Sequence, residues 1–294
     1  QAGVECYQSG PIVQKPDMSL ENFKRIIDES EGKVFQVALG GRGDPDQHKN
    51  FKEILQYSRS KNIVPNFTSS GLGFNEEIVD LCKQFCGAVA ISWYRAPFTI
   101  KALEMLIQAG VTTNIHYVLS NSTIDEAITR LKDPNGFPSG INAVIFLLHK
   151  PVGLGSQENV LNVEDPRVEE FFSIIDLNQT PYMIGFDSCS IPGILNLTKN
   201  IDRMSIDTCE GARFSMYISS DMKALPCSFD QRHKWAFDLS NGTIQEAWDS
   251  EQFNDFRNHL ASSCPGCPDR RECGGGCPIK NEIVLCKRPE RNVM

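Results

Sequence analysis

The strongest constraint on the fold of this chain is a run of four cysteines near its C-terminal end. Cys264, Cys267, Cys273 and Cys277 follow the spacing C-x2-C-x5-C-x3-C, and Cys286 lies nine residues further on. Two cysteines separated by two residues can reach one metal centre from a tight turn, which the proline and glycine residues of this run favour. Three consecutive glycines also allow backbone N–H groups to approach sulfur. Iron–sulfur clusters and zinc ions are both bound in this way.

The overall composition favours metal binding over a disulfide scaffold. The chain has 294 residues and 11 cysteines, and eight of these cysteines lie between Cys189 and Cys286. Disulfide scaffolds are usually short and secreted, whereas the region before Cys189 has the pattern of an ordinary α/β protein. The net charge of −8 argues against a nucleic-acid partner. No apolar run reaches the roughly 20 residues needed to span a bilayer, so we expect a cytoplasmic protein.

Alternating β-type and helical patterns predict a parallel sheet. The apolar runs lie at residues 34–39, 63–67, 87–92, 112–119 and 141–148. The helical patterns lie at residues 20–30, 48–60, 75–85, 100–109, 124–131 and 166–177. Strands that are apolar on both faces and joined by single helices form βαβ units. We therefore expect an α/β fold, a partial (β/α)6 barrel of the TIM type with its sixth strand before residue 1, which would bind ligands at the carboxyl ends of its strands.

The pattern changes after residue 185. We assign residues 1–185 to the barrel, with an incomplete N-terminus, and residues 186–294 to a small cysteine-rich domain. A hairpin is predicted over residues 214–227, followed by short helices at 243–248 and 251–260. The apolar core of this small domain is thin, so its folding is expected to depend on bound metal.

The order of the C-terminal cysteines strongly resembles the SPASM domain of radical S-adenosylmethionine enzymes. In that family, interleaved cysteines bind two auxiliary 4Fe–4S clusters. The resemblance gives the outer cluster the ligands Cys264, Cys267, Cys273 and Cys286. It gives the inner cluster the ligands Cys209, Cys227 and Cys277, with Cys189 as the candidate for the fourth position. Without Cys189, one iron of the inner cluster would be open to substrate. Two structural zinc sites remain the alternative.

A second resemblance lies at the start of the chain. Radical S-adenosylmethionine enzymes carry a C-x3-C-x2-C motif after their first strand, and Cys6 followed by Tyr7 matches its third cysteine. The other two cysteines of the motif are not in this sequence. The resemblance makes Cys6 a ligand of the cluster that binds S-adenosylmethionine and places Tyr7 beside that cofactor. The alternative is an incidental buried cysteine.

Residues at the predicted strand ends match further cofactor-binding positions of the family. Gly40, Gly41 and Asp44 lie in a loop that resembles the family's Gly-Gly-Glu-Pro motif, with Asp in place of Glu. The resemblance adds contacts to the ribose, the methionine carboxylate and the adenine from Ser70, Ser92, His116 and Leu148. Each of these residues has an ordinary alternative, as a hydrogen-bonded polar side chain at a strand end or as part of a simple loop.

The resemblance implies an enzyme that modifies peptides. A reduced 4Fe–4S cluster would give one electron to S-adenosylmethionine, and the resulting 5′-deoxyadenosyl radical would abstract hydrogen from a residue of a ribosomally made precursor peptide. The product would be a thioether, a crosslink or an epimerised residue, and the electron donor would be a flavodoxin or a ferredoxin. The alternatives are a sulfatase-maturing, formylglycine-forming enzyme, a non-catalytic iron–sulfur protein and a zinc-stapled peptide-binding protein. In sulfatase-maturing enzymes a carboxylate directly follows an inner-cluster cysteine, whereas here Asp230 comes third after Cys227.

Overall fold

A six-stranded parallel sheet forms the centre of the molecule. The structure is a computed structural model that describes residues 15–177, 179–262 and 264–287. The strands pair in chain order, each with its neighbour in sequence. They are β1 (Gln36–Leu39), β2 (Val64–Ser69), β3 (Val89–Ser92), β4 (Thr113–Leu119), β5 (Ala143–Leu148) and β6 (Met183–Phe186). This order is that of a singly wound partial barrel, as the sequence predicts.

The six predicted helices are confirmed. They are α1 (Leu20–Ser30), α2 (Phe51–Ser60), α3 (Glu76–Phe85), α4 (Pro97–Gln108), α5 (Ile124–Lys132) and α6 (Pro166–Leu177). Two of the predicted starts carry side-chain caps. Ser19 accepts a hydrogen bond from the backbone N–H of Asn22, and Asn75 accepts one from that of Ile78.

Strand β6 was not among the five predicted strands. It pairs in parallel with β5, from Met183 beside Ala143 to Phe186 beside Phe146. The strand is short and contains Gly185, which weakens its sequence signal. A Cβ atom at Gly185 would lie 2.6 Å from the Cδ1 atom of Ile145, so a larger residue here would displace the end of that side chain. The strand expected before residue 1 lies outside the described residues.

The two faces of the sheet differ in burial. The helix-covered face is apolar, and Phe67, Ile115, Tyr117 and Phe146 are at most 3% exposed in the main core. The other face carries the alternate residues of β2 and β4, which are only half-buried. Because successive side chains of a strand point to opposite faces, this second face remains open inside the partial barrel. We call it the open face.

A second, smaller layer follows β6. Helix α7 (Ile191–Leu197) was not predicted, whereas the predicted hairpin forms from β7 (Tyr217–Ile218) and β8 (Lys223–Leu225). A third antiparallel strand, β9 (Phe237–Asp238), was also missed. The remaining helices are α8 (Ile244–Asp249), α9 (Glu251–Ser262) and α10 (Arg270–Cys273).

The C-terminal region shares its cores with the barrel. Cys277 and residues 283–285 lie in the main core, whereas Ile26 of α1 packs with Trp235 and Phe256 in a second core. This sharing supplements the thin core expected from the sequence. The boundary between residues 185 and 186 stays a prediction. None of the helices within the described ranges is both long and apolar enough to cross a membrane.

Candidate functional site

Two predicted cofactor-binding residues, Ser92 and His116, lie on the open face of the sheet. Ser92 of β3 is in register with His116 of β4, so their side chains share a face of the sheet. The Oγ1 atom of Thr68 on β2 lies 3.1 Å from Nδ1 of His116. Burial lowers the pKa of His116 to about 4, although the charge of Asp187 acts in the opposite direction. His116 is therefore a neutral imidazole near pH 7.

A second polar contact joins the loops after β1 and β2. The carboxylate of Asp44 accepts hydrogen bonds from the backbone N–H of Ser70, at 2.7 Å, and from its hydroxyl, at 2.5 Å. The preceding loop turns at Gly41 and Gly43, whose φ angles of +142° and +103° favour glycine. A Cβ atom at Gly40 or Gly41 would meet nothing within 4 Å, so the backbone of this loop is accessible.

Not every predicted contact lies on the open face. Leu148 is only 2% exposed and belongs to the main core, on the helix-covered side of β5. Only its backbone could face a cofactor, because adjacent side chains of a strand point to opposite sides. Cys6 and Tyr7 lie outside the described residues.

A buried ion pair joins the loops after β5 and β6, and it could not be predicted from the sequence. Lys150, in the loop after β5, binds the carboxylate of Asp187, which follows β6. The Lys150 side chain is 6% exposed, and its ammonium lies 4.7 Å from the centre of the Phe229 ring. Burial alone would lower the pKa of Lys150, but the charge of Asp187 raises it above its usual value. Lys150 is thus a buried cation that joins the barrel to the loop after Cys227.

Four cysteines of the C-terminal region lie together near this ion pair. We call them the inner thiol group, and its members are Cys189, Cys209, Cys227 and Cys277. A hydrogen bond joins the thiols of Cys189 and Cys277, which raises the pKa of Cys189 and lowers that of Cys277. Burial raises the pKa of Cys227 to about 12, and its neighbours Cys189 and Cys209 act in the same direction. Cys189 therefore lies among the other three thiols.

The remaining four cysteines of the C-terminal region form the outer thiol group, and its members are Cys264, Cys267, Cys273 and Cys286. Burial raises the pKa of Cys273 to about 11, and the neighbouring Cys286, Cys264 and Cys267 act in the same direction. The Cys286 thiol also lies 4.0 Å from the side-chain oxygen of Asn196 on α7. Eight of the ten described cysteines thus separate into the two sets of four that the resemblance implies, and their role as ligands remains a prediction.

Backbone N–H groups point at sulfur in both groups. Gly211 donates to Cys209 and Phe229 to Cys227, whereas Gly275 donates to Cys273. These contacts lower the pKa of each thiol and so favour the thiolate. The three consecutive glycines, Gly274–Gly276, which we call the glycine run, have positive φ angles between +60° and +85°. The expected approach of backbone N–H groups to sulfur at this run is confirmed.

Solved structures share this arrangement of barrel and C-terminal layer. The Streptococcus suis SuiB structure with bound S-adenosylmethionine has a TM-score of 0.73 at 15% identity, over 97% of this chain and 74% of that one. The structure of native anSMEcpe with bound AdoMet has a TM-score of 0.69 at 17% identity, over 97% of this chain and 89% of the other. At these identities the likeness establishes the fold.

Sequence comparison identifies a domain in the C-terminal region. A family model for the SPASM iron–sulfur cluster-binding domain matches residues 209–268. These residues therefore belong to a SPASM domain, as the order of the cysteines predicts. Relatives of the chain include the mycofactocin maturase MftC of Mycolicibacterium smegmatis, which is 24% identical over 94% of this chain and 74% of its own length. MftC of Mycobacterium ulcerans is 23% identical over 94% of this chain and 79% of its own length.

The donors of the SPASM domain are of the type that iron–sulfur clusters require. Eight thiols lie in two sets of four, and thiolates are the ligands that such clusters require. Backbone N–H donors to sulfur are a further feature of cluster sites, where they adjust the reduction potential. Across the described residues, no three His, Cys, Asp or Glu side chains are placed to hold a single metal ion. None of the ten described cysteines forms a disulfide bond.

Proposed function

We propose that this protein modifies a residue of a ribosomally made precursor peptide by radical chemistry. The observation that carries the proposal is the grouping of the polar residues Ser92, Thr68 and His116 on the open face, where Asp187, which follows β6, is close enough to act on the pKa of His116. Bound S-adenosylmethionine and a reduced 4Fe–4S cluster would supply a 5′-deoxyadenosyl radical that removes hydrogen from an unactivated carbon. The protein would supply binding, orientation and shielding from water.

The residues of the open face would bind the two ends of S-adenosylmethionine. We assign the backbone carbonyls of Gly40 and Gly41 to its ammonium group, because that loop is accessible and free of Cβ atoms. Ser92 and His116 would bind its carboxylate. With Thr68 donating to Nδ1, a neutral His116 keeps the proton on Nε2 and can donate it in a hydrogen bond. The Asp44–Ser70 contact would position both loops beside the ribose.

Two relatives support a peptide as the substrate. One structure of similar fold is described as SuiB bound to the precursor peptide SuiA, with a TM-score of 0.72 at 15% identity over 97% of this chain and 72% of that one. The sequence relatives are named maturases. We propose a thioether, a crosslink or an epimerised residue as the product, a ferredoxin or flavodoxin as electron donor, and the cytoplasm as the compartment. Its reducing conditions keep thiols free.

The sulfatase-maturing alternative would need a carboxylate base after Cys227. Asp230 is the nearest candidate, but it is 4% exposed. Its carboxylate accepts hydrogen bonds from the backbone N–H groups of Lys234, at 3.2 Å, and Trp235, at 3.0 Å. Asp230 therefore stabilises the turn that follows β8, which argues against this alternative.

Reductive cleavage of S-adenosylmethionine tests the proposal. The full-length protein, loaded anaerobically with iron and sulfide and reduced by dithionite, should form 5′-deoxyadenosine. Cys6→Ala should abolish that product, because Cys6 is the proposed cluster ligand. Cys86→Ala is the matched control, since Cys86 ends α3 and contacts Cys82 rather than either thiol group. Unchanged cleavage in Cys6→Ala would refute its assignment.

A second measurement tests the peptide step. Cys267→Ala should retain part of the cleavage of S-adenosylmethionine, because its thiol lies in the outer group rather than in the barrel. The same variant should yield no mass change in the precursor peptide. A normally modified peptide would contradict a role for the outer thiol group in the reaction.

A further inference from the structure

A cavity lined by arginines lies between α9 and α10. Its volume is about 640 Å³, and four of its lining residues are Arg213, Arg257, Arg270 and Arg271. No Asp or Glu is among the described residues that line it. The whole chain carries a net charge of −8, so this concentration of positive charge departs from the character of the rest of the molecule.

Most contacts of these arginines orient their side chains without neutralising their positive charge. Arg257 donates to the backbone carbonyls of Ala212, at 2.6 Å, and Trp248, at 2.8 Å. Arg270 donates to the carbonyl of Ala261. Arg213 is partly offset, because the carboxylate of Asp207 lies 3.2 Å from it. The cavity therefore keeps a positive potential, which favours an anionic partner.

The cavity also adjoins the outer thiol group. Cys267 and Gly274 belong to its lining, and so does Thr208. The hydroxyl of Thr208 donates to the backbone carbonyl of Cys273 at 2.9 Å. A protein that docks over this cavity would thus lie against the loops that carry two of the four outer thiols. Electron transfer falls steeply with distance, so a donor to a cluster in this group needs such a contact.

We propose that this arginine-lined cavity is the docking surface for an acidic one-electron donor, a reduced ferredoxin. The inference rests on the proposed function, because it requires a cluster in the outer thiol group. In the docked complex one electron leaves the ferredoxin and enters that cluster. The ferredoxin is oxidised and the outer cluster is reduced, with no bond formed or broken and no proton transferred. An acidic segment of the peptide in the cavity would be a different occupant, which the experiment distinguishes.

Direct binding tests the docking surface. The holoprotein is titrated anaerobically with a purified acidic ferredoxin, at low and at high ionic strength, by isothermal titration calorimetry. The double variant Arg270→Glu/Arg271→Glu should raise the dissociation constant at low ionic strength by about tenfold or more. High salt should remove most of the difference, because it screens the charges. Arg270→Lys/Arg271→Lys keeps the charge and should bind within about twofold of the wild type.

A matched control excludes a general effect of charge. Lys52→Glu/Lys101→Glu makes the same change in net charge on exposed residues of α2 and α4, and it should leave the dissociation constant unchanged. Iron content is measured for every variant, so that loss of the outer cluster is recognised. Ferredoxin binding by Arg270→Glu/Arg271→Glu equal to that of the wild type would overturn the proposal. Equally weakened ferredoxin binding in the control variant would also overturn it. The same holds if Arg270→Glu/Arg271→Glu weakens binding of the precursor peptide but leaves ferredoxin binding intact.

Different measurements test the proposed docking surface and the proposed function. Dithionite reduces the protein without docking, so cleavage of S-adenosylmethionine by dithionite tests the function alone. The arginine variants should cleave S-adenosylmethionine normally with dithionite and slowly with ferredoxin. Slow cleavage with both reductants would show that the arginines act on the clusters themselves, which contradicts a docking role.

Discussion

Cys189 and Cys277 of the inner thiol group lie in or against the main core, whereas Cys264, Cys267 and Cys273 of the outer thiol group come from one run of turns. Cys189 directly follows β6, in a short turn over residues Ser188–Ser190, and Cys277 lies in the main core. The outer group depends on the glycine run and on contacts of single loops, such as that from Thr208 to Cys273. The same residue type is therefore placed once by tertiary packing and once by local turn geometry.

The nearest ion pairs show the same contrast. Beside the inner group, Lys150 and Asp187 pair with side chains that are 6% and 18% exposed. Beside the outer group, Arg213 pairs with Asp207 at 3.2 Å, and their side chains are 32% and 60% exposed. A buried pair leaves a costly uncompensated charge when one partner is lost, whereas water replaces the partner of an exposed one. We therefore expect the inner region of the site to be more rigid than the outer region.

Removal of the buried cation should have the largest effect on stability. Lys150→Met leaves Asp187 buried without its partner, which is expected to cost about 3–5 kcal/mol in the free energy of unfolding. Urea denaturation of the cluster-free protein measures this loss. Lys150→Met/Asp187→Asn should recover a large part of it, because the unpaired charge is gone. A loss below about 1 kcal/mol would mean that the inner region is no more rigid than the outer one.

His116 gives a pH test of the same region. Its folded pKa of about 4 lies below the unfolded value of about 6.5, so protons bind preferentially to the unfolded chain between these values. Stability should therefore fall by roughly 3 kcal/mol as pH drops from 6.5 to 4, and the loss should be absent above pH 6.5. Unfolding of the wild type and of His116→Asn, compared at several pH values, isolates this contribution. Parallel pH profiles would contradict a buried, neutral His116.

The glycine run tests the local geometry of the outer group. A Cβ atom at Gly274, with φ +60°, would lie 2.2 Å from the Thr208 hydroxyl. Gly110 is the matched control, because its φ is +76° but a Cβ atom there meets nothing within 4 Å. Gly274→Ala should cost about 1–3 kcal/mol more than Gly110→Ala, and it should lower the iron bound by the outer group first. If Gly274→Ala and Gly110→Ala lost equal amounts of stability and of iron, backbone strain at a positive φ angle would explain both, and the close contact with Thr208 would have no effect.

The smallest effect is expected from the exposed ion pair. Asp207→Asn should change the free energy of unfolding by no more than about 1 kcal/mol, because water reaches both side chains of its pair with Arg213. The same urea denaturation as for Lys150→Met measures it. A loss as large as that of Lys150→Met would remove the contrast between the two regions.

The elements set by local pattern could be predicted from the sequence. Five strands and six helices follow from apolar periodicity and from caps such as Ser19 and Asn75. The cysteine spacing, with the family resemblance, also implies the two sets of four thiols. Strand β6 was missed because Gly185 serves the packing of Ile145, a contact that no local pattern records.

The polar contacts between distant loops could not be predicted. Lys150 and Asp187 are 37 residues apart, and Asp44 and Ser70 are 26 apart. Each pair meets only because neighbouring parallel strands end at the same edge of the sheet. The sequence places these residues after strands but does not say which of them face each other.

Iron and sulfide content tests the central claim that each thiol group binds its own cluster. The anaerobically prepared wild type should contain about four iron atoms for each cluster, and Cys227→Ala and Cys267→Ala should each lose about four. Electron paramagnetic resonance of the reduced variants should show the other SPASM cluster retained in each case. Colourless protein that contains zinc, or loss of both clusters from either single substitution, would contradict the division into two independent sites.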